Sequence, residues 1–224
     1  MAYSPEYFTA RESWRDWRIE ARALIDLARV TRDARVLELG CGGGGLLQML
    51  RARGAFAIGV DTLDVALNLA RAQTFQVAAQ ANLEGLGLAR IADDGILPFH
   101  DHTFDALIAQ HVVEHIDNLD AALREWRRVL KPGGRLALAT PNARYPDPAH
   151  FADADHTRVF APNELRAACE RAGFRVESCI TIFPFLTRAR LLRAFGVIAY
   201  RAFARAPYFA SRGRTILLGA RQIE

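Results

Sequence analysis

Short apolar runs alternate with amphipathic stretches along most of the chain. RVLELG (35–40), AFAIGVD (55–61), LARIADD (88–94), FDALIAQ (104–110), RLALATPN (135–142), RVESCITIF (175–183) and RTILLGARQIE (214–224) read as seven strands. Helical periodicity fills the gaps. Trp17, Leu24, Ile25 and Ala28 lie near helical spacing within a first helix from Ser13 to Arg29. A second runs from Gly44 and is closed by Gly54, and a third opens with Asp64 as its N-cap. LDAALREWRRVL is stopped by Pro132 and Gly133, and a last helix starts near Pro162 and is closed by Gly173. Strands alternating with helices of this length predict parallel pairing through helical crossovers, hence an α/β, doubly wound Rossmann-like sheet with helices on both faces. Ligands of such sheets sit outside the carboxyl ends of the strands, at the topological switch point.

The 224 residues fit one domain. Its parts divide as an N-terminal helical cap (1–32), a core (33–183), a basic amphipathic insertion (184–213) and a final strand (214–224). The N-terminus is polar and aromatic, without the apolar stretch of a secretory signal, and no uncharged apolar run is long enough to span a bilayer. The three cysteines are far apart in no metal or disulfide spacing, which suits a reducing, cytoplasmic setting. The net charge of +4 changes this picture only locally. Seven arginines and no acid lie between Pro184 and Thr215, so the remainder of the chain is mildly acidic. That insertion interleaves arginines with Phe183, Leu191, Phe195, Tyr200 and Phe203. It reads as a packed helix pair, as a lid over an apolar substrate, or as a peripheral contact with the inner membrane surface. No recognised nucleic-acid module accompanies it, so no specific nucleic acid is expected as a partner.

The candidate chemistry begins at VLELGCGGGG (36–45), where a strand runs into a bare backbone that can approach a ligand closely. Gly40, Gly42 and Gly45 satisfy the dinucleotide spacing G-x-G-x-x-G, whereas Gly40, Gly42 and Gly44 satisfy the G-x-G-x-G of an adenosyl-methionine site. Asp61 follows about 20 residues on and suits ribose hydroxyls in either case. Glu38 favours the second reading, because a carboxylate there repels a pyrophosphate and attracts an ammonium or sulfonium. The third strand is expected to end at Asp93, placing an acid where an adenine amino group is read.

VLELGCGGGG, GVD, ADDGILPF, FDALIAQHVVEHI and LREWRRVLKPGGRLALATPN, in this order from about Arg35 to Asn142, resemble a class I S-adenosylmethionine-dependent methyltransferase, and TRVFAPNELRAACERAGF extends the match to Phe174. The chain is most similar to the small-molecule branch that includes the quinone-biosynthesis enzymes. The resemblance implies strand order 3-2-1-4-5-7-6 with the last strand antiparallel. It implies S-adenosyl-L-methionine as cofactor, with Glu38, Gly40, Cys41 and Gly42 around the methionine part. Asp61 would hold the ribose, Thr62 or Leu63 would flank the adenine, and Asp93 and Asp94 would read its amino group. Gln110 would contact the methionine through its backbone, His115 would pack near the cofactor, and Arg18 would pair with the cofactor carboxylate. The implied reaction is methyl transfer, O-methylation favoured, to a small apolar or lipid-linked acceptor. The alternatives are a catalytically silent cofactor-binding module and an NAD(P)-dependent oxidoreductase. The oxidoreductase would need a Tyr-x-x-x-Lys pair, which the only lysine, Lys131, does not form.

Two histidine clusters remain. HVVEH (111–115) matches the H-x-x-E-H pattern of a zinc-peptidase class, which requires both histidines on one face of a helix. Starting at a strand-to-helix turn, it reads instead as an active-site wall, with His111 facing substrate, or as a satisfied core histidine. HFADADH (150–156) carries His150, Asp153, Asp155 and His156. It reads mainly as a polar loop, with His156 as a catalytic or substrate-positioning group; a divalent metal is the minor reading, and none is assigned. The aromatic segment with Tyr7, Phe8, Trp14 and Trp17 is expected to close over the cofactor or line the acceptor pocket.

Overall fold

A computed structural model describes residues 3–13, 15–81, 86–92, 95–145, 156–182 and 213–223. Helix α1 (Pro5–Ser13) and α2 (Arg15–Leu27) precede the sheet. Then follow β1 (Arg35–Leu39), α3 (Gly45–Ala52), β2 (Phe56–Asp61), α4 (Asp64–Ala81), β3 (Leu86–Arg90) and β4 (Phe104–Gln110). A 3-10 turn (Val113–His115), α5 (Leu119–Val129), β5 (Leu130–Pro141), α6 (Pro162–Arg171), β6 (Phe174–Ile182) and β7 (Thr215–Gln222) complete the chain. The seven strands form one sheet in the order β3-β2-β1-β4-β5-β7-β6. Pairings from β3 to β5 are parallel, and β7 runs antiparallel to both β5 and β6. The order reverses at β1–β4, so the carboxyl ends of these two strands form the switch point.

The two-residue alternation of strands decides which side chains meet which helices. Leu37 and Leu39 of β1, Leu107 and Ala109 of β4, and Leu136 and Leu138 of β5 join Leu123, Trp126 and Leu165 in one core layer, under α5 and α6. Val36, Ala106, Ile108, Ala137 and Ala139 point the other way, onto Leu24 and Ile25 of α2 and Leu46, Leu47 and Leu50 of α3. Each fully buried leucine of these layers stabilises the fold by about 1.5–3 kcal/mol. By the same alternation Glu38 and Gln110 project on the α2–α3 side, whereas Thr140 projects on the α5 side.

Three boundaries differ from the periodicity reading. The expected helix Ser13–Arg29 is shorter, Arg15–Leu27, and a separate helix precedes it; Arg29 ends it in the left-handed region, φ 50°. The third strand is Leu86–Arg90 rather than Leu88–Asp94, because its register on β2 pairs Asp61 with Arg90 and the ladder stops there. Asp93 therefore lies beyond the strand and not at its end, and Asp93 and Asp94 lie outside the described residues. β5 begins at Leu130, so the Lys131–Gly134 stretch bulges within a strand instead of separating helix from strand. His150, Asp153, Asp155 and Trp14, with the insertion 184–212, also lie outside the described residues. Among the described residues no helix is long and apolar enough to cross a membrane.

Candidate active site at the β1–β4 switch point

The glycine run answers its ambiguity through backbone conformation. Gly40, Gly42 and Gly44 adopt φ of 63°, 50° and 86°, whereas Gly45 is already the first residue of α3. The left-handed positions thus follow the 40-42-44 spacing. Helix α1 lies over this loop. A Cβ at Gly42 would stand 3.2 Å from the Phe8 ring, and one at Gly43 only 2.7 Å from Glu12 Oε1. The Gly45 amide donates to Glu12 Oε1 at 3.2 Å, so an acid from the cap sits on the N-terminus of α3, where the helix dipole favours negative charge. Phe8 packs with Tyr7 and Tyr3, ring centroids 5.4 and 6.0 Å away.

Three carboxylates converge here. Both oxygens of Asp61 accept backbone hydrogen bonds, Oδ2 from Gly42 and Oδ1 from Leu63, at 3.0 Å each. Burial nevertheless raises its pKa. Burial likewise raises Glu12. Glu38 is the extreme case. Burial, then the neighbouring Glu12 and Asp61, push it well above the usual carboxylate range, and its Oε2 has no hydrogen-bond partner. The Cys41 thiol is held protonated by burial and by Glu38 and Asp61. A buried carboxylate oxygen without a donor, in a field of two other acids, is a site for a cation.

Beside this cup, on β4, stands a second buried network. Val112 packs on the glycine turn, since a Cβ at Gly40 would fall 2.6 Å from its Cγ2. The preceding residue, His111, has φ 57°, a strained conformation for a side-chain-bearing residue. Its Nε2 lies 2.9 Å from Glu20 Oε1 and its Nδ1 3.1 Å from Glu114 Oε1. Two carboxylates facing both ring nitrogens require both to donate, so the ring is an imidazolium. Burial opposes the charge, yet Glu20 and Glu114 raise the His111 pKa to about 9. The acids respond in kind. Burial pushes both up, but His111 holds Glu20 and Glu114 below their ordinary values. Gln110 donates to Glu20 at 2.8 Å through Nε2, and Thr140 donates to Glu114 Oε2 at 2.9 Å. His111 thus ties the α2 face of the sheet to the α5 face.

The sequence-derived residues separate accordingly. Glu38, Gly40, Cys41, Gly42 and Asp61 come together around the loop, with Thr62 half-buried next to Asp61. Gln110 and His111 join the second network, and His115 meets His156 edge-on, ring centroids 4.8 Å apart. Arg18 is exposed on α2. The zinc-peptidase reading of HVVEH fails, because residues 113–115 form a single 3-10 turn and not a helix presenting both histidines on one face. Sequence reasoning missed Glu12 and Glu20. Glu20 did leave a signal: it is three residues after Trp17 and four before Leu24, inside the apolar stripe of α2.

Comparison with known proteins fits this geometry. The model of a methyltransferase domain matches residues 10–179. A ubiquinone biosynthesis O-methyltransferase from Xanthomonas oryzae pv. oryzae is 30% identical over 187 residues, spanning 75% of this chain and 73% of that protein. Among solved structures, a SAM-dependent methyltransferase from Aquifex aeolicus superposes with a TM-score of 0.69 at 15% identity, covering 99% of this chain and 100% of the other. Phosphoethanolamine N-methyltransferase 2 of Haemonchus contortus, in complex with S-adenosyl-L-methionine, gives a TM-score of 0.73 at 14% identity, covering 99% and 58%.

The chain belongs to the class I S-adenosylmethionine-dependent methyltransferases. The residues present fit that cofactor on their own evidence. A methyltransferase of this kind must hold a sulfonium and an ammonium, and Glu38 Oε2 is a buried carboxyl oxygen with no hydrogen-bond partner, whose charged form burial and two neighbouring acids disfavour until a cation is bound. The methyltransferase sheet also places the loop at the switch point, where ligands of doubly wound sheets lie.

Proposed function

We propose that this methyltransferase methylates an oxygen of a small, apolar or lipid-linked acceptor. The observation that carries the reading is the 30% identity, over three quarters of each chain, to proteins named ubiquinone biosynthesis O-methyltransferase. The arrangement of side chains supports it. Glu38, Asp61 and the backbone from Gly40 to Gly42 would hold the cofactor, with Cys41 as a small inert wall and Thr62 beside the ribose and adenine. Glu12 would add a third carboxylate from the cap. When bound, S-adenosylmethionine supplies an electrophilic methyl group, so the protein's task is alignment and exclusion of water.

His111 acts in this reading as a positioning residue. Clamped as an imidazolium between Glu20 and Glu114, it fixes the turn that follows β4 against the glycine loop. His115 and His156 form the polar end of the acceptor site, where an acceptor hydroxyl is oriented and its proton drawn off. Phe8, Tyr7 and Tyr3 supply the apolar cover.

The test is turnover of S-adenosylmethionine by purified protein with polyprenylated phenols, matched anilines and matched thiols, products read by mass spectrometry. Methylation of the phenolic oxygen, reduced at least tenfold in His156→Ala while S-adenosylhomocysteine binding is retained, is the expected result. Exclusive methylation of nitrogen or sulfur would overturn the oxygen reading.

A further inference from the structure

We propose that Arg128, together with Glu125, is a positioning residue for the cofactor's base: the pair fixes the connection from β3 to β4 and thereby sets the preference for adenine. Both stand on α5, one turn apart. An arginine offers five N–H groups, and here all five are engaged. Nε and Nη2 form a fork on Glu125, at 2.8 Å to Oε2 and 2.7 Å to Oε1. Nη2 also donates to the Leu97 carbonyl at 3.1 Å, and Nη1 donates to the Phe99 carbonyl at 2.8 Å and to Asp101 Oδ1 at 2.7 Å. Glu125 completes the clamp, since its Oε1 accepts from the Leu97 amide at 2.8 Å. An exposed ion pair on a helix spends its charge on itself and on water. This arginine instead sends three of its five bonds to residues 97–101, which lie 27 to 31 positions away in the chain.

The clamped stretch lies where the base is expected. The Ile91 amide, just past β3, donates at 3.1 Å to the carbonyl of Asp61, the residue expected to hold the ribose. The Leu97 amide is fixed in turn on Glu125. Residues 92–96 separate these two points, and the expected readers of the adenine amino group, Asp93 and Asp94, fall inside that interval. The following stretch is secured as well. Leu97 is buried in the core layer under α5, and Phe99 packs edge-on against Phe104 with ring centroids 5.0 Å apart. The amides of His102 and Thr103 donate to the carbonyls of Arg128 and Val129 at 3.0 and 2.8 Å.

A short span pinned at both ends has little conformational freedom left to lose on binding. Releasing the Leu97 end restores that freedom, so each contact to the base must then be ordered when the cofactor enters. The glycine loop does not depend on this clamp, and the loss therefore falls on the base rather than on the methionine part. Lysine keeps the charge of Arg128 but not its planar fork, and cannot serve Glu125 and three further acceptors together. The proposal rests on the reading, taken from the resemblance, that the base lies against this connection.

The experiment titrates the full chain by calorimetry with S-adenosylhomocysteine and with its inosine counterpart, in which an oxo group replaces the adenine amino group. Wild type should favour the adenine form at least about tenfold. Arg128→Lys and Glu125→Ala should each weaken S-adenosylhomocysteine about fivefold or more and leave the inosine form within about twofold, so that the preference collapses. Arg171→Ala, which removes an exposed arginine paired with Asp120, should keep the wild-type ratio. A merely structural role would weaken both ligands alike through the folded fraction, which thermal melts give for each variant. A ratio unchanged in both clamp variants, or an equal loss of both ligands, overturns the positioning role. Asp93→Ala tests the expected base contact separately. A ratio lost in Asp93→Ala but kept in both clamp variants overturns the clamp and leaves the base reading standing. The reverse pattern supports the clamp and removes Asp93 as the reader, and a wild type without preference overturns both.

Discussion

Raising the pH through the titration of His111 should cost this protein about 3 kcal/mol of folding stability. The folded side chain keeps its proton up to about 9, against an ordinary value of 6.5. Each unit corresponds to about 1.36 kcal/mol, which gives the figure. The site is closed enough for that value to survive solvent screening, since His111 is 16% exposed and its partners Glu20 and Glu114 are 6% and 1%. The direction follows from proton counting. Between about 6.5 and about 9 the folded state binds more protons than the unfolded chain, so stability falls as the pH rises. The full contribution is present below 6.5 and is lost above 9. Glu20 and Glu114 act at the opposite end. Their depressed values add stability that is lost only as the pH falls below the usual carboxylate range.

The assay is urea unfolding at closely spaced pH values. With a slope near 2 kcal/mol per molar urea, the midpoint should fall by about 1–2 M between pH values of about 6.5 and 8.5–9. Glu38 titrates with the same sign, because burial raises it too, and the thiols Cys41, Cys169 and Cys179 do so only above 9.0. Glu20→Gln separates His111 from all of these. It removes one of the two anions and should take away at least half of the slope, with the His111 ring resonances titrating nearer to their ordinary value. A flat wild-type curve, or a Glu20→Gln curve as steep as wild type, would refute the imidazolium assignment.

Three further perturbations test the cofactor side. Glu38→Gln should raise the stability of the ligand-free protein at neutral pH and weaken S-adenosylmethionine more than uncharged S-adenosylhomocysteine; calorimetry showing equal losses would remove Glu38 from the cation site. Asp61→Ala should weaken S-adenosylhomocysteine by about 1–3 kcal/mol through lost charge-assisted hydrogen bonds, measured by the same titration. Gly44→Ala should lower thermal stability by about 1–3 kcal/mol. Its φ is 86° and the new methyl group would stand 3.1–3.2 Å from Ala70 and Thr74, so an unchanged melting curve would contradict the packing of α3 on α4.

Local patterns carried the fold a long way. β1 and β2 were legible because each is an apolar run that meets glycine or aspartate at its end, β4 because ALIA is an uncharged apolar run, and the alternation with helices pointed to parallel pairing. The order of strands was not in the periodicity and came only through the resemblance. β3 slipped by two residues at its start because its termini depend on the ladder with β2, a non-local property. That the glycine loop, Glu38 and Asp61 come together was legible from their place at the carboxyl ends of β1 and β2. Glu12 and Glu20 were not, since an acid on a surface helix has the same local signature whether it is solvated or buried. What distinguishes Glu20 is a histidine 91 positions away, brought to it by the β4 turn. The juxtaposition of His115 with His156 was hidden for the same reason.

The two networks explain each other's cost. Glu38, Glu12 and Asp61 bury negative charge against one another, and Glu38 has an oxygen with no donor, which is unfavourable in the folded chain without a cation. Glu20 and Glu114 are as deeply buried but share the charge of His111, and both titrate low as a result. The same residue type in the same protein thus takes opposite shifts, and the difference is a resident cation. In a methyltransferase that contrast has a functional sense. The paired network is rigid and holds the strained turn at His111 against the glycine loop. The unpaired one is satisfied best by a positively charged ligand, and less well once the sulfonium has become a neutral thioether. A site whose complementarity falls with the reaction favours substrate over product, which is the preference a transferase needs to release S-adenosylhomocysteine.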